Sequence, residues 1–407
     1  MPGGTVSRVE SRVESRVESR VESSTLHECT STIGRAAGNV FAMFARHFLS
    51  PPVLGALLSL VAASCARPGT PPALPAPEFA MDEVNHGPLI IAHRGASGHR
   101  PEHTREAYSL AIEMGADYIE PDLVMTRDRV LVSRHENEIG GTTDVADRFP
   151  SRRRTQVIDG EEVTGWFTED FTLAELKTLR ARERLPSRSH AFDGRFEVPT
   201  LDEVLTLVRA SERATGRTIG VYPETKHPSH FAAIGLPLED SLLATLARHG
   251  YHGRDDAVFI QSFETGNLRG LRTRTSIRLV QLVDVGGAPA DLAAAGDPRG
   301  SRDLVTAAGL GEIATYADAV GVHKALVLPP AAVGAPARPT TLVRDAHAAG
   351  LAVHVWTLRS DAPYLGAEYA GDAAAEWRAF AAAGVDGMFG DFPDVGVRAL
   401  GRSVPPR

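Results

Sequence analysis

Leu89-Ile90-Ile91-Ala92-His93-Arg94-Gly95 reads as an apolar strand that delivers a histidine and an arginine to a glycine turn. Ala107, Leu110, Ala111 and Met114 follow as one apolar stripe at helical spacing, and Gly115 can end that helix. Tyr118-Ile119-Glu120-Pro121-Asp122-Leu123 is then a second strand, so the segment is a β-α-β unit of a parallel sheet. Six further strand-like runs lie at 219–224, 257–262, 279–283, 319–323, 352–358 and 385–389, alternating with helical patterns such as Leu201, Val204, Leu205 and Val208. Eight parallel strands close a barrel, and the expected fold is an α/β, (β/α)8 TIM barrel. Residues 124–199 have no room in an eightfold count. They are expected to form a large, mostly irregular insertion after the second strand, lying over the face where such barrels carry their chemistry.

The 407 residues, 43% apolar and 23% charged, suit an ordinary globular enzyme. A net charge of −8 with no basic stripe excludes nucleic acid as a natural partner, so a small anionic substrate needs a local positive site. Cys29 and Cys65 are the only cysteines, and both precede the first strand, so packing rather than disulfides must hold the core.

The chain before the barrel divides into three parts. Residues 1–42 contain four Ser-Arg-Val-Glu tetrads, too polar to bury; they are either a low-complexity segment or not native coding sequence, with Met43 as the start. Residues 43–65 have the layout of a bacterial export signal: Arg46 and His47, an apolar run at 53–63, then Ser64-Cys65. Leu60-Val61-Ala62-Ala63-Ser64-Cys65 is similar to a lipoprotein cleavage box, which would make Cys65 a lipidated first residue; the alternative is cleavage elsewhere. Residues 66–80 form a proline-rich tether, and the barrel domain is expected over 81–402. The protein is therefore expected outside the cytoplasm, periplasmic or at the cell surface, touching membrane only through its anchor.

Polar side chains collect where the barrel reading places strand ends. Alternation puts Glu120 and Asp122 on one face of their strand, and two neighbouring carboxylates in a barrel are tolerated chiefly when a cation neutralises them. Oxygen ligands of this kind suit calcium or magnesium. Pro121 removes one ladder hydrogen bond and suggests that regular pairing ends there. A tight turn at 127–130 would fold 130–136 back as a hairpin and set His135 opposite Asp122, a placement that a one-residue slip would reverse. Glu224 and Lys226 share a face at the end of the third strand, where a plain salt bridge is the alternative to a functional role. Phe263 and Trp356 fall near strand ends as a candidate apolar pocket wall, Gln261 is a weaker candidate for the pocket, and His323 and His354 read as structural.

In this order, His-Arg-Gly at 93–95, Pro-Glu-His-Thr at 101–104, Glu-Pro-Asp at 120–122, His135, Tyr-Pro-Glu-Thr-Lys at 222–226 and Gly-Asp-Phe-Pro-Asp at 390–394 resemble the glycerophosphodiester phosphodiesterase family, closest to its exported bacterial branch. The resemblance covers 87–400. It implies a divalent cation, commonly calcium, held by Glu120, Asp122 and Glu224; a catalytic pair, His93 and His135; Arg94 on the substrate phosphate; and Lys226 adding positive charge. Two residues depart from the pattern, His103 where many members have Asn and Glu136 where many have Asp, and neither is expected to touch a ligand or a catalytic histidine. The implied reaction converts a glycerophosphodiester to sn-glycerol 3-phosphate and an alcohol. Attack comes either from the glycerol 2-hydroxyl, through a cyclic phosphate, or from water. Rival readings are a lipid-cleaving relative, phospholipase D-like or sphingomyelin-type, and a non-catalytic glycerophosphodiester-binding lipoprotein; two histidines beside three carboxylates argue against the second.

Overall fold

The computed structural model describes residues 87–403 apart from 334 and 336, so the tetrad repeats, the export segment with Cys65 and the tether lie outside the described residues. Thirteen strands occur among them: β1 (Leu89–Ala92), β2 (Tyr118–Ile119), β3 (Asp122–Met125), β4 (Leu131–Ser133), β5 (Arg154–Ile158), β6 (Glu161–Gly165), β7 (Gly220–Val221), β8 (Glu224–Thr225), β9 (Phe259–Ser262), β10 (Arg278–Val283), β11 (Ala319–His323), β12 (Ala352–Leu358) and β13 (Gly387–Gly390). β2 and β3 are two halves of one barrel strand, and β7 and β8 are halves of the next, since β2 pairs with β7 and β3 with β8, all in parallel. The ring then runs through β9, β10, β11, β12 and β13 to β1, which returns to β2. The fold is an eight-stranded α/β barrel of the TIM type.

Local chemistry accounts for the elements that carry the mouth. Thr104 caps the helix Arg105–Glu113 by accepting from Ala107 N; of the expected stripe Ala107 and Ala111 are buried, beside Tyr108 and Ile112, while Leu110 and Met114 are only partly buried against the core. Gly95 stands at φ +83°, and a Cβ there would sit 2.7 Å from the Ala107 carbonyl carbon, so this turn against the helix needs glycine. Thr200 and Glu203 form a capping box on the helix Leu201–Thr215, whose Leu201, Val204, Leu205 and Val208 are buried as the stripe predicts.

The barrel interior is filled by one parity of each strand. Ile91, Tyr118, Tyr222, Phe259, Val280, Ala319 and Phe389 pack together as an aromatic-rich plug. Two residues further along the same strands, that parity reads His93, Glu120, Glu224, Gln261 and Asp391. The alternation that closes the core thereby delivers the polar groups to its mouth.

Two expectations about 124–199 need correction. The strand runs on through Met125, so the insertion starts later. It is also more regular than expected: β5 and β6 form an antiparallel hairpin around Asp159-Gly160, with φ of +50° and +82°. The run Arg152-Arg153-Arg154 is not a free basic patch, because Arg152 pairs with Glu175 at 2.5 Å and Arg154 with Asp170 at 2.6 Å. Finally, β4 is antiparallel to β3, on the edge that β1 vacates beyond Ala92, so a ninth strand joins the ring at the mouth.

Candidate active site

Both strands that carry carboxylates contain a proline at the same level, Pro121 and Pro223. The ladder does not end there, because the proline carbonyls still accept: Glu224 N donates to Pro121 O at 3.1 Å and Gln261 N to Pro223 O at 2.9 Å. Register sets Asp122 beside Glu224 and Glu224 beside Gln261. Glu120, Asp122 and Glu224 are all buried and offer ligand oxygens within 4.8 Å of one another. Gln261 Nε2 donates to Glu120 Oε1 at 2.7 Å, while Asp122 Oδ1 is buried with no hydrogen-bond partner. Burial, then the charges of Asp122 and Glu224, push the Glu120 pKa well up; burial raises Glu224 too. Burial works on Asp122 in the same direction, but His103 and Lys226 hold it well below the usual carboxylate range. Three oxygen donors under mutual repulsion, one of them an orphaned oxygen, fit a hard divalent cation.

His93 leaves β1 on the interior parity. Its Nδ1 is 2.6 Å from Asp391 Oδ1 and its Nε2 is 4.0 Å from Glu120 Oε2. Burial, then Arg94, push its pKa down to about 3 against the pull of Asp391, so the ring is neutral. With a carboxylate accepting at Nδ1, the proton sits there and the Nε2 lone pair faces the carboxylate cluster.

His135 is reached differently from the sequence expectation. In the β3–β4 register Leu123 faces Ser133, and Arg134 N donates to Asp122 O, so Arg134 rather than His135 stands opposite Asp122. The chain bends after β4, and the bend brings His135 to the mouth, where its charge acts on Asp122, Glu224 and Glu102. Its Nδ1 lies 2.8 Å from Glu136 Oε1, and its side chain is 23% exposed against 9% for His93, so it is the more open of the two to a ligand.

The two cations are tied into the same cluster. Arg94 adopts φ +59°, which turns its amide to donate to Glu120 Oε2 at 3.1 Å; its guanidinium donates to Glu102 at 3.1 Å and lies 3.7 Å from Asp122. Lys226 Nζ is 2.8 Å from Glu224 Oε1, both buried, so the salt bridge read as the plain alternative is present and lies inside the site. Phe263 and Trp356 meet edge to face at 5.7 Å between centroids, and Lys226 Nζ is 5.8 Å from the Phe263 ring. His354 is buried, with Nδ1 2.6 Å from Tyr222 OH, and His323 accepts from Ala325 N; both are structural contacts.

The model of the glycerophosphoryl diester phosphodiesterase family matches residues 93–395. The chain belongs to that family. It is an enzyme of the phosphoric diester hydrolase class. It is 34% identical over 356 residues to glycerophosphodiester phosphodiesterase GDPD6 of Arabidopsis thaliana, covering 83% of this chain and 92% of that one. A glycerophosphodiester phosphodiesterase of Haemophilus influenzae is 32% identical over 354 residues, covering 79% and 92%. Among solved structures, a glycerophosphoryl diester phosphodiesterase from Silicibacter pomeroyi superposes with a TM-score of 0.56 at 23% identity, covering 78% of this chain and 96% of that one. An Oleispira antarctica phosphodiesterase, solved with the product sn-glycerol-3-phosphate, gives 0.53 at 19% identity, covering 77% and 97%; at these identities the likeness is one of fold.

Several site residues were given no role, or only a weak one, by the sequence. Gln261, a weaker pocket candidate in the sequence, and Asp391, quoted there only within a motif, both follow from the interior parity that Phe259-Ile260-Gln261 and Phe389-Gly390-Asp391 continue. Arg184, which donates to Glu102 at 2.9 Å, and Arg188 come from the insertion and gave no periodic signal. The two departures from the family pattern also touch the site after all. His103 is buried between Tyr108 OH at 2.8 Å and Asp122 Oδ2 at 3.0 Å, with burial pushing its pKa down to about 4, and Glu136 contacts His135.

Proposed function

We propose that this phosphodiesterase hydrolyses small glycerophosphodiesters, such as glycerophosphocholine and glycerophosphoethanolamine, to sn-glycerol 3-phosphate and the alcohol, with His93 and His135 as its acid–base pair. The observation that carries this is the placement of His93, its Nδ1 2.6 Å from Asp391 Oδ1 and its Nε2 4.0 Å from Glu120 Oε2 in a buried carboxylate triad. The product bound to the Oleispira relative is of the same class. A divalent cation, calcium or magnesium, held by Glu120, Asp122 and Glu224 supplies positive charge where the phosphate gains negative charge. Arg94 adds its guanidinium, which can keep Glu102 and still face a second anion, and Lys226 lends charge from beside Glu224. His93 takes the proton of the attacking hydroxyl at Nε2, and His135, at the open side, returns one to the leaving alcohol. Phe263 and Trp356 wall the pocket for the carbon skeleton. We further propose export, with anchoring through a lipidated Cys65; a Cys65→Ser change should release the protein from membranes or block its processing.

The test is turnover of glycerophosphocholine with and without excess chelator. Loss of activity that returns with calcium or magnesium, and release of choline rather than phosphocholine, are expected. Full turnover in chelator overturns the metal assignment, and equal or higher efficiency on lysophosphatidylcholine overturns the small-substrate reading.

A further inference from the structure

Arg188 has no part in that mechanism, yet this charge from the insertion is engaged at all three of its guanidinium nitrogens. Its Nη2 lies 2.5 Å from Asp391 Oδ2 and 2.6 Å from Asp361 Oδ2; Nε donates to Asp361 Oδ1 at 3.1 Å and Nη1 to the Ser97 carbonyl at 3.1 Å. Ser97 Oγ in turn donates to the His93 carbonyl at 2.8 Å. One side chain thus ties the loops after β1, β12 and β13 together. Arg359 Nε reaches the same Asp391 oxygen at 3.2 Å, so that one carboxylate oxygen serves His93 and the other serves two guanidinium groups. All of these side chains are nearly buried: Arg188 is 5% exposed, Asp361 10% and Asp391 2%.

Burying two carboxylates and two guanidinium groups is no route to stability, because the desolvation penalty offsets the Coulomb gain. The geometry has a different outcome. A carboxylate on a short side chain can turn about two bonds, and a forked guanidinium held on a second carboxylate removes that freedom. Burial by itself would raise the Asp391 pKa, but Arg188 and then Arg359 hold it well below the usual range, so it stays an acceptor for Nδ1–H.

We propose that Arg188 is a positioning residue: it clamps Asp391 in the orientation that keeps the His93 proton on Nδ1, so that the insertion completes an acid–base unit the barrel alone leaves loose. This deepens the reading of His93 as an acid–base group and rests on it. The insertion is then part of the catalytic apparatus through one arginine, acting on the imidazole through a carboxylate.

The test is a double-mutant cycle on the full chain with glycerophosphocholine, using His93→Ala, Arg188→Gln and their combination. Arg188→Gln is expected to lower kcat by about 10²-fold with KM within about twofold. In the His93→Ala background the same change should have little further effect, because the group it positions is gone. A merely structural role would lower activity by the same factor in both backgrounds, and that result overturns the proposal. So does a kcat for Arg188→Gln within threefold of the parent. Near-parental turnover in His93→Ala would instead remove the reading of His93 itself, a separate failure. Should Arg188→Gln fold poorly, the isosteric Asp391→Asn goes through the same cycle with the same expected and overturning outcomes.

Discussion

Two adjacent layers of the barrel interior, built from the same strands and two residues apart, have opposite chemistry. The lower one, with Tyr118, Tyr222, Phe259 and Phe389, is an apolar plug; the upper one, with Glu120, Glu224, Gln261, His93 and Asp391, carries several charges almost as deeply buried. The plug excludes water from beneath the polar layer, which strengthens every electrostatic interaction above it. Stability and chemistry are thus separable along one strand, and variants in the two layers should fail in different ways.

The largest effect is expected in the upper layer. Glu120→Gln and His93→Ala should each lower kcat by roughly 10³-fold while the thermal midpoint stays level, or rises for Glu120→Gln because repulsion with Asp122 and Glu224 is relieved. A collapse of the midpoint in either would assign that residue to the core. Next comes the lower layer: Phe259→Ala should cost about 3–5 kcal/mol in a urea titration, with kcat per folded molecule nearly retained. If kcat falls as far as stability does, the layers are not separable.

The pH dependence of stability should show two opposed limbs. His354, in the plug, has its pKa pushed down to about 4, chiefly by burial. A depressed imidazole favours folding in its neutral form, so its contribution is complete above pH ~6.5 and is lost as pH falls toward 4. On the rim, His227 touches Glu136 at 2.8 Å and Asp159 at 2.6 Å, and against the effect of burial these carboxylates raise its pKa to about 10. Its contribution is complete below pH ~6.5 and is lost as pH rises through 10. Midpoints measured from pH 4 to 10 should fall at both ends, and His227→Gln should flatten only the alkaline limb. The smallest effect is again expected in the upper layer, where Gln261→Leu removes the donor to Glu120 and should weaken metal affinity about tenfold with little change in stability. An unchanged affinity would make Gln261 part of the packing alone.

Much of this organisation was legible in the sequence because alternation carries it. Ile119 and Leu123 against Glu120 and Asp122, or Val221 against Tyr222 and Glu224, announce both the strand and its interior face. What alternation could not supply was register across a turn: Arg134, not His135, stands opposite Asp122, and the histidine arrives through a bend that no period encodes. Asp159-Gly160 is a recognisable hairpin signal, but the flanking runs Arg154–Ile158 and Glu161–Gly165 are largely polar and do not read as strands. Arg188 was out of reach for a different reason. Its partners Asp361 and Asp391 are 173 and 203 residues away, and nothing near it in the chain marks it.

The ninth strand at the mouth has one more consequence. Because the β4 hairpin occupies the edge of β3 that β1 leaves open, the backbone bonds of Asp122, Val124 and Thr126 on that edge depend on it, whereas Leu123 bonds the other way, to Lys226 N. The insertion is therefore not a detachable cover. A shortened chain lacking 126–199 would keep eight strands on paper, yet it would expose a bare edge at its rim, an invitation to pair with another copy. Anyone transplanting this mouth onto a simpler barrel would have to carry the β4 hairpin along, and amide exchange at Val124 and Thr126 would report at once whether that edge had been lost.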